Sequence, residues 1–237
     1  ELIGLGFPAE KIRVIYNGVD PQKYSQDQVS KDKVREIRQK YGLTDNDAMI
    51  LFLGRLVWVK GVDKLIAAMP HVLQKTPEAK LVIVGLGDMR EYLERMVQNL
   101  KLQDVVKFRF EFISEEERIA HYAACDVAVF PSVYEPFGIV SLEAMSMAKP
   151  LIVGAQGVVG FREQVVPSGP DQNGVHVNGG NAADIAWGIK GVLSDPDRAR
   201  QWGENGRKRV LQYFTWRKAA EQTLQIYETL MHPPEQA

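Results

Sequence analysis

The sequence is poor in cysteine and has no long hydrophobic run. Its one cysteine, Cys125, cannot form an intramolecular disulfide, and we expect a buried thiol in a reducing compartment. No stretch approaches the roughly 20 apolar residues that span a bilayer, and no cleavable signal opens the chain, which predicts a cytoplasmic protein without a transmembrane segment. An excess of charge of either sign is missing too, because 29 basic and 30 acidic residues give a net charge of −1. Bulk charge therefore does not favour binding to nucleic acid or to an anionic membrane.

The 237 residues, 45% of them hydrophobic, suffice for one large core or two small ones. Short apolar runs rich in β-branched residues alternate with amphipathic segments of helical period. This alternation predicts right-handed βαβ units and a parallel, doubly wound α/β sheet. The predicted strands are Met49–Leu53, Leu81–Val84, Val105–Phe108, Val127–Phe130, Leu151–Val153 and a last short one within Asn173–Val177. The predicted helices are Lys60–Gln74, Asp88–Lys101, Ser114–Ala124 and Val140–Met147, followed by helices capped at Asp195 and Thr215 and a polar tail from His232.

The loop after the first predicted strand carries two cations, Arg55 and Lys60. A ligand of such a sheet binds outside the carboxyl ends of the strands, which is where this loop lies. Each cation in contact with a diphosphate contributes a gross attraction of about 4 kcal/mol at an effective dielectric constant of about 20. The loop therefore has the outline of a diphosphate clamp, while two solvated surface charges are the alternative interpretation.

A second junction follows the fourth predicted strand, where a helix begins near Gly138. The unpaired amides of Gly138, Ile139 and Val140 form an anion site, and a glycine allows close approach of a phosphate. A carboxylate can accept two hydrogen bonds from a vicinal diol, so we expect Glu143 to bind ribose hydroxyls and Glu135 to face a sugar. The alternative is that Glu143 complements the helix dipole and Glu135 is a surface loop residue.

Three motifs occur in order along the chain: Val14–Asp20, Gly54–Gly61 and Glu135-Pro-Phe-Gly…Glu143. Together they resemble the C-terminal domain of glycosyltransferase family four, and the resemblance covers nearly the whole chain. It implies one half of a GT-B fold, a nucleoside-diphosphate-sugar donor that carries a hexose, retention of anomeric configuration, and neither cofactor nor metal. On this resemblance Arg55, Lys60 and Glu135 are candidate catalytic residues, and Gly54, Phe137, Gly138, Ile139, Val140 and Glu143 are candidate donor-binding residues.

The resemblance also predicts the domain organisation. Residues 1–20 are similar to the segment that crosses from the N-terminal to the C-terminal domain, and residues 21–237 to the Rossmann-like nucleotide-sugar-binding domain with its C-terminal helices. Since the chain opens like the closing turn of a helix, with Gly4 and Gly6 as stops, we expect that an N-terminal acceptor domain is missing from it. The chain alone is then expected to bind donor but transfer no sugar. A non-catalytic scaffold that binds nucleotide sugar, a phosphorylase and an epimerase are alternatives.

Several other features of the sequence are given minor roles. Phe112 replaces a glycine usual in the family near the nucleobase, which leaves the base open. Asp45-Asn-Asp47 imitates a metal-binding motif but precedes the first strand, so we expect a solvated turn. Gly85-Leu-Gly87 starts a dinucleotide fingerprint whose third glycine is Arg90, and a dinucleotide-binding Rossmann domain remains an alternative. His121 is predicted to lie at the surface or its boundary, and Trp187, Trp202 and Trp216 are predicted to be packing residues.

Overall fold

A six-stranded sheet with parallel pairing throughout is the centre of the structure, a computed structural model that describes residues 2–231. The predicted polar tail from His232 lies outside the described residues. The strands of this sheet are β1 (Ala48–Leu53), β2 (Ala79–Val84), β3 (Val106–Arg109), β4 (Val127–Phe130), β6 (Leu151–Gly154) and β8 (Gly174–Val177). Strands β5 (Tyr134–Glu135) and β7 (Val158–Val159) form a small parallel pair of their own. The predicted strands are confirmed to within two residues at their ends.

Helices precede the first strand, connect the strands and follow the last one. They are α1 (Lys31–Lys40), α2 (Val62–Leu73), α3 (Arg90–Asn99), α4 (Glu115–Ala124), α5 (Ile139–Ser146), α6 (Phe161–Gln164), α7 (Ala182–Leu193), α8 (Pro196–Tyr213) and α9 (Trp216–Met231). Helix α2 packs against α7, α1 against α4, and α5 against α8. These layers bury β1, β2, β4 and β6 almost completely, which explains why their sequences are continuous apolar runs rather than alternating ones.

The strand order positions the site. The order β3-β2-β1-β4-β6-β8 means that the chain first adds strands on one side of β1 and then continues from β4 on the other. The direction of winding therefore reverses between β1 and β4, and a crevice opens there at the carboxyl ends of the strands. This confirms the predicted doubly wound α/β sheet.

Side-chain caps fix the starts of three helices as the sequence predicts. The Ser114 hydroxyl, the Asp195 carboxylate and the Thr215 hydroxyl each accept a hydrogen bond from the amide three residues on, at 3.0–3.2 Å. Glu117 does not close the capping box at Ser114, because its carboxylate binds Arg109 at 2.9 Å instead.

The segment around Asn17 lies against the junction of α8 and α9. The Val19 amide donates to the Phe214 carbonyl at 2.9 Å, and Val19 forms a parallel bridge with Thr215. The Asp20 carboxylate then accepts the amides of the next turn, which redirects the chain toward α1. The domain boundary at residue 20 stays a prediction.

Two expectations about single side chains are wrong. His121 is fully buried, because α4 packs on α1 and places the ring against the Tyr41 hydroxyl at 2.8 Å. Trp187 and Trp216 are exposed rather than packed, whereas Trp202 does pack against the core. The expected burial of the Cys125 thiol is confirmed, and this burial raises its pKa to about 12.

Candidate functional site

A cavity of about 590 Å³ opens at the crevice between β1 and β4. All of the predicted site residues line it: Gly54, Arg55, Lys60, Glu135, Phe137, Gly138, Ile139, Val140 and Glu143. The wall is completed by residues that the sequence did not single out as ligands: Asn17, Phe52, Leu53, Arg118, Phe130, Ser132, Pro136 and Phe161. The two loop-to-helix junctions are thus brought together by the topology, as expected for the carboxyl edge of a parallel sheet.

The loop after β1 carries both Arg55 and Lys60 to the cavity, but the two side chains differ in exposure and in ion pairing. Arg55 is exposed and forms no ion pair within residues 2–231. Lys60 ends a short 3-10 turn just before α2, and the carbonyl of the preceding Val59 accepts the Val133 amide at 2.9 Å. That hydrogen bond joins the loop after β1 to the loop after β4.

Lys60 and Glu135 form a salt bridge at the floor of the cavity. Their side chains are only 17% and 11% exposed. Glu135 is fixed by its backbone, because it lies in β5 and its carbonyl accepts the Gly160 amide at 2.7 Å. The sequence placed the two residues in separate roles, whereas the structure couples them.

Helix α5 begins at the cavity with Gly138, which has a φ of 84°. Because glycine has no side chain, it cannot cap the first amides of the helix as a serine or an aspartate would. A Cβ atom at this position would collide with the Phe161 ring, so the close approach of α6 requires glycine. The first amides of any α-helix lack intrahelical acceptors. The first residues of α5 line the cavity, where an anion could accept hydrogen bonds from their amides.

The second turn of α5 carries Glu143, which lines the same cavity as Lys60. The Tyr24 and Tyr122 hydroxyls donate to its two carboxylate oxygens at 2.9 and 3.0 Å, and Arg118 lies 3.3 Å away. Burial raises the pKa of Glu143, while Arg118 and the two hydroxyls act in the opposite direction. The carboxylate therefore has much of its capacity of about four accepted hydrogen bonds in use, and a further ligand can take what remains.

The partners of Glu143 could not be recognised from the sequence. Tyr24, Arg118 and Tyr122 lie far from Glu143 in the chain and reach it only through tertiary packing. Tyr122 follows the apolar period of α4 and is typical of a core residue. No local pattern could have identified Arg118. Asn17 was within reach, because it belongs to a motif that the resemblance already included.

Two features with competing interpretations lie outside the cavity. Asp45 and Asp47 form a turn before β1, at the amino edge of the sheet, and the Asp47 carboxylate accepts the Thr44 amide at 2.7 Å. Gly85 and Gly87 pack against the backbone of the loop after β1, where side chains would collide with it. They do not line the cavity, so these glycines do not support the interpretation as a dinucleotide-binding domain.

Three further observations bear on ligands. Phe112 is 88% exposed on the loop after β3. Within residues 2–231, no cluster of three or more His, Cys, Asp or Glu side chains has the arrangement of a metal site. None of the described helices is long and apolar enough to cross a membrane.

Comparison with known proteins gives consistent matches. The family described as glycosyl transferases group 1 matches residues 33–209. An uncharacterized glycosyltransferase of Methanocaldococcus jannaschii is 39% identical over 224 residues, which are 94% of this chain and 55% of that protein. The chain spans about half the length of the curated relatives it matches.

Solved structures share the fold over nearly the whole chain. Sucrose-phosphate synthase of Thermosynechococcus elongatus is 33% identical with a TM-score of 0.78, covering 92% of this chain and 52% of that one. The Anabaena protein HepE, solved in complex with UDP-glucose, is 28% identical with a TM-score of 0.79, covering 97% and 60%. These likenesses confirm that the parallel sheet and its flanking helices match GT-B glycosyltransferase structures.

Proposed function

The chain belongs to the glycosyl transferases group 1 family, and we propose that it is the C-terminal, donor-binding domain of a retaining family-four glycosyltransferase. The enzyme would transfer a hexosyl group from a nucleoside-diphosphate sugar to an acceptor. One observation carries this proposal: three cations, two carboxylates and an uncapped helix start line a single cavity at the switch point of the sheet. Each group has a counterpart in the chemistry of such a donor.

The diphosphate would bind between the loop after β1 and the start of α5. Arg55 is free to reach a phosphate, Lys60 lies beside it, and the amides of Gly138 and Ile139 line the same wall. Departure of the leaving group builds negative charge on the diphosphate. These donors would stabilise that charge without a proton transfer. For the same reason we propose that no metal ion and no cofactor is needed.

The two glutamates would bind the two sugars of the donor. Glu143 retains acceptor capacity beside its tyrosine hydroxyls and would accept a ribose hydroxyl. Glu135, held by β5 and by Lys60, would orient the hexose over the diphosphate. Oxocarbenium character at the hexose would then be stabilised by the leaving group on the same face. The Lys60–Glu135 salt bridge would tie the position of the sugar to that of its leaving group.

The acceptor site would lie on an N-terminal domain of the whole protein. Helix α9 supports this, because no residue of it is buried and Leu224, Tyr227 and Met231 share one exposed face. The curated relatives are roughly twice as long as this chain, which agrees with a second domain covering that face. We therefore expect this chain to bind a nucleoside diphosphate but to transfer no sugar. Robust transfer to any acceptor by this chain alone would contradict the two-domain proposal.

The division of roles can be tested with single variants and two ligands, a bare nucleoside diphosphate and the intact donor. Arg55→Ala removes a charge-assisted contact and should weaken both ligands by about 1.5–3 kcal/mol, or roughly ten- to a hundredfold. Glu143→Gln should also weaken both, because the ribose is common to them. Glu135→Gln keeps an oxygen that can accept a hydrogen bond from Lys60, so it should weaken the binding of the intact donor only.

Calorimetric titration of the variants measures these affinities without an acceptor. The proposal for Glu135 would be wrong if Glu135→Gln weakened the bare diphosphate as much as Arg55→Ala does. Lys60→Ala is a less direct test of phosphate contact, since it also leaves Glu135 without its partner.

A further inference from the structure

Arg118 contacts Glu143 from the neighbouring helix α4. One terminal nitrogen of its guanidinium lies 3.3 Å from the carboxylate oxygen that also accepts the Tyr24 hydroxyl. Arg118 also lines the cavity between β1 and β4. The Nε–H group is buried and has no partner among residues 2–231. Arg118 is thus held against Glu143 without a full set of hydrogen bonds of its own.

A buried carboxylate needs such a neighbour to stay charged. Only 6% of the Glu143 side chain is exposed, and burial alone favours the neutral acid. A neutral acid carries a proton on one oxygen, so it could no longer accept hydrogen bonds at both oxygens. The tyrosine hydroxyls and a ribose would then compete for the oxygen that remains.

The other charged groups around Glu143 cannot replace Arg118. Lys23 on the preceding segment is paired with Glu115, which is itself a like charge to Glu143. Burial raises the pKa values of Tyr24 and Tyr122, so both hydroxyls stay protonated donors through neutral pH. From α8, Arg207 reaches the carbonyl oxygens of Tyr24 and Ser146 rather than the carboxylate.

We propose that Arg118 is a positioning residue, which holds the Glu143 carboxylate in its charged form between the two tyrosine hydroxyls. Nucleotide affinity depends on Arg118 through Glu143 and not through a contact of Arg118 with the ligand. The second statement rests on the proposed function, because it requires that Glu143 binds the nucleotide. The role of Arg118 in keeping Glu143 charged does not depend on the proposed function.

The first experiment follows the Glu143 carboxyl carbon by NMR as pH is varied, with the signal assigned from Glu143→Gln. In Arg118→Met, which keeps an unbranched side chain but removes the guanidinium and its charge, the titration midpoint should rise by about 1–3 pH units, the effect expected of one nearby opposite charge. Arg118→Lys should restore most of the change. Arg95→Met, an exposed arginine on α3, is the matched control and should leave the midpoint unchanged.

The second experiment titrates UDP, GDP and ADP calorimetrically and uses the ligand that binds most tightly. Arg118→Met should bind it up to about tenfold more weakly than the unmodified chain at one pH unit below the midpoint found in the first experiment, where most of its Glu143 is neutral, and should approach it at pH 9. The double variant Arg118→Met/Glu143→Gln should be no weaker than Glu143→Gln alone. A variant that merely misfolds would show no recovery at pH 9.

The outcomes separate the two proposals. An unchanged Glu143 midpoint in Arg118→Met overturns the role of Arg118, whatever the chain binds. Additive losses in the double variant show a direct contact with the ligand and overturn the positioning role. If the unmodified chain binds none of the three nucleotides, the donor-binding function fails, while the carboxyl titration still decides whether Arg118 keeps Glu143 charged.

Discussion

The Lys60–Glu135 salt bridge allows a quantitative test of the site in the absence of ligand. Lys60→Met removes the positive charge, keeps most of the aliphatic chain, and leaves the Glu135 carboxylate nearly buried without its partner. Removing one partner of a buried pair costs about 3–5 kcal/mol. Because both side chains keep some contact with water, we expect about 3 kcal/mol, near the lower end of that range.

The double variant Lys60→Met/Glu135→Gln shows whether the cost comes from the unpaired charge. It leaves no charge at either position, so most of the lost free energy of unfolding should return, and the two substitutions should be coupled by about 2 kcal/mol. Urea denaturation of the chain, of both single variants and of the double variant completes the cycle.

Lys33→Met is the matched control for this cycle. Lys33 pairs with Glu36 on the exposed face of α1, at 3.0 Å. Exposed pairs of this kind contribute about 0.3–0.5 kcal/mol, so this variant should be nearly neutral. If Lys60→Met costs no more than Lys33→Met and shows no coupling with Glu135→Gln, then the ion pair does not stabilise the site.

Three further predictions concern metal, packing and pH. Nucleotide binding should be unchanged by excess chelator in a calorimetric titration, and a strict requirement for magnesium or manganese would contradict the electrostatic mechanism. Gly138→Ala should lower the thermal unfolding midpoint and weaken nucleotide binding, because the new methyl group meets the Phe161 ring at a positive φ. Burial lowers the pKa values of His121 and His176 below the unfolded value of about 6.5. The unfolded state therefore binds more protons, and the free energy of unfolding should fall as pH drops below about 6.5, less so in His121→Gln, as urea denaturation at pH 7.5 and pH 5 can show.

The sheet was predictable because each central strand is a continuous apolar run between helical patterns. Strand β4 was located to the residue, and Ser114, Asp195 and Thr215 fixed helix starts through side-chain chemistry that acts within one turn. Helix α1 was missed because its ten residues are mostly charged. The β5–β7 pair was missed because two-residue strands have no periodicity, and the pairing of residue 134 with residue 158 depends on the tertiary fold.

The site was predictable where a motif contains its own chemistry. Two short loops contain Arg55, Lys60, Glu135 and Gly138. Because both loops follow strands of a parallel sheet, whose ligands bind at the carboxyl edge, the sequence predicts that these residues share one site. What the sequence could not show is how side chains pair across the cavity. The Lys60–Glu135 salt bridge and the arginine beside Glu143 both join residues more than 20 positions apart, and only packing brings them into contact.

The most direct test of the central claim is a calorimetric titration of this chain with UDP-, GDP- and ADP-sugars and their bare nucleoside diphosphates. The chain should bind at least one of them saturably with one site per chain, and Arg55→Ala should weaken that binding roughly ten- to a hundredfold. Arg95→Ala, on the exposed face of α3, should leave it unchanged. Absence of binding to every nucleotide, or equal binding by Arg55→Ala and the unmodified chain, would contradict the assignment of the cavity between β1 and β4 as a nucleotide-sugar site.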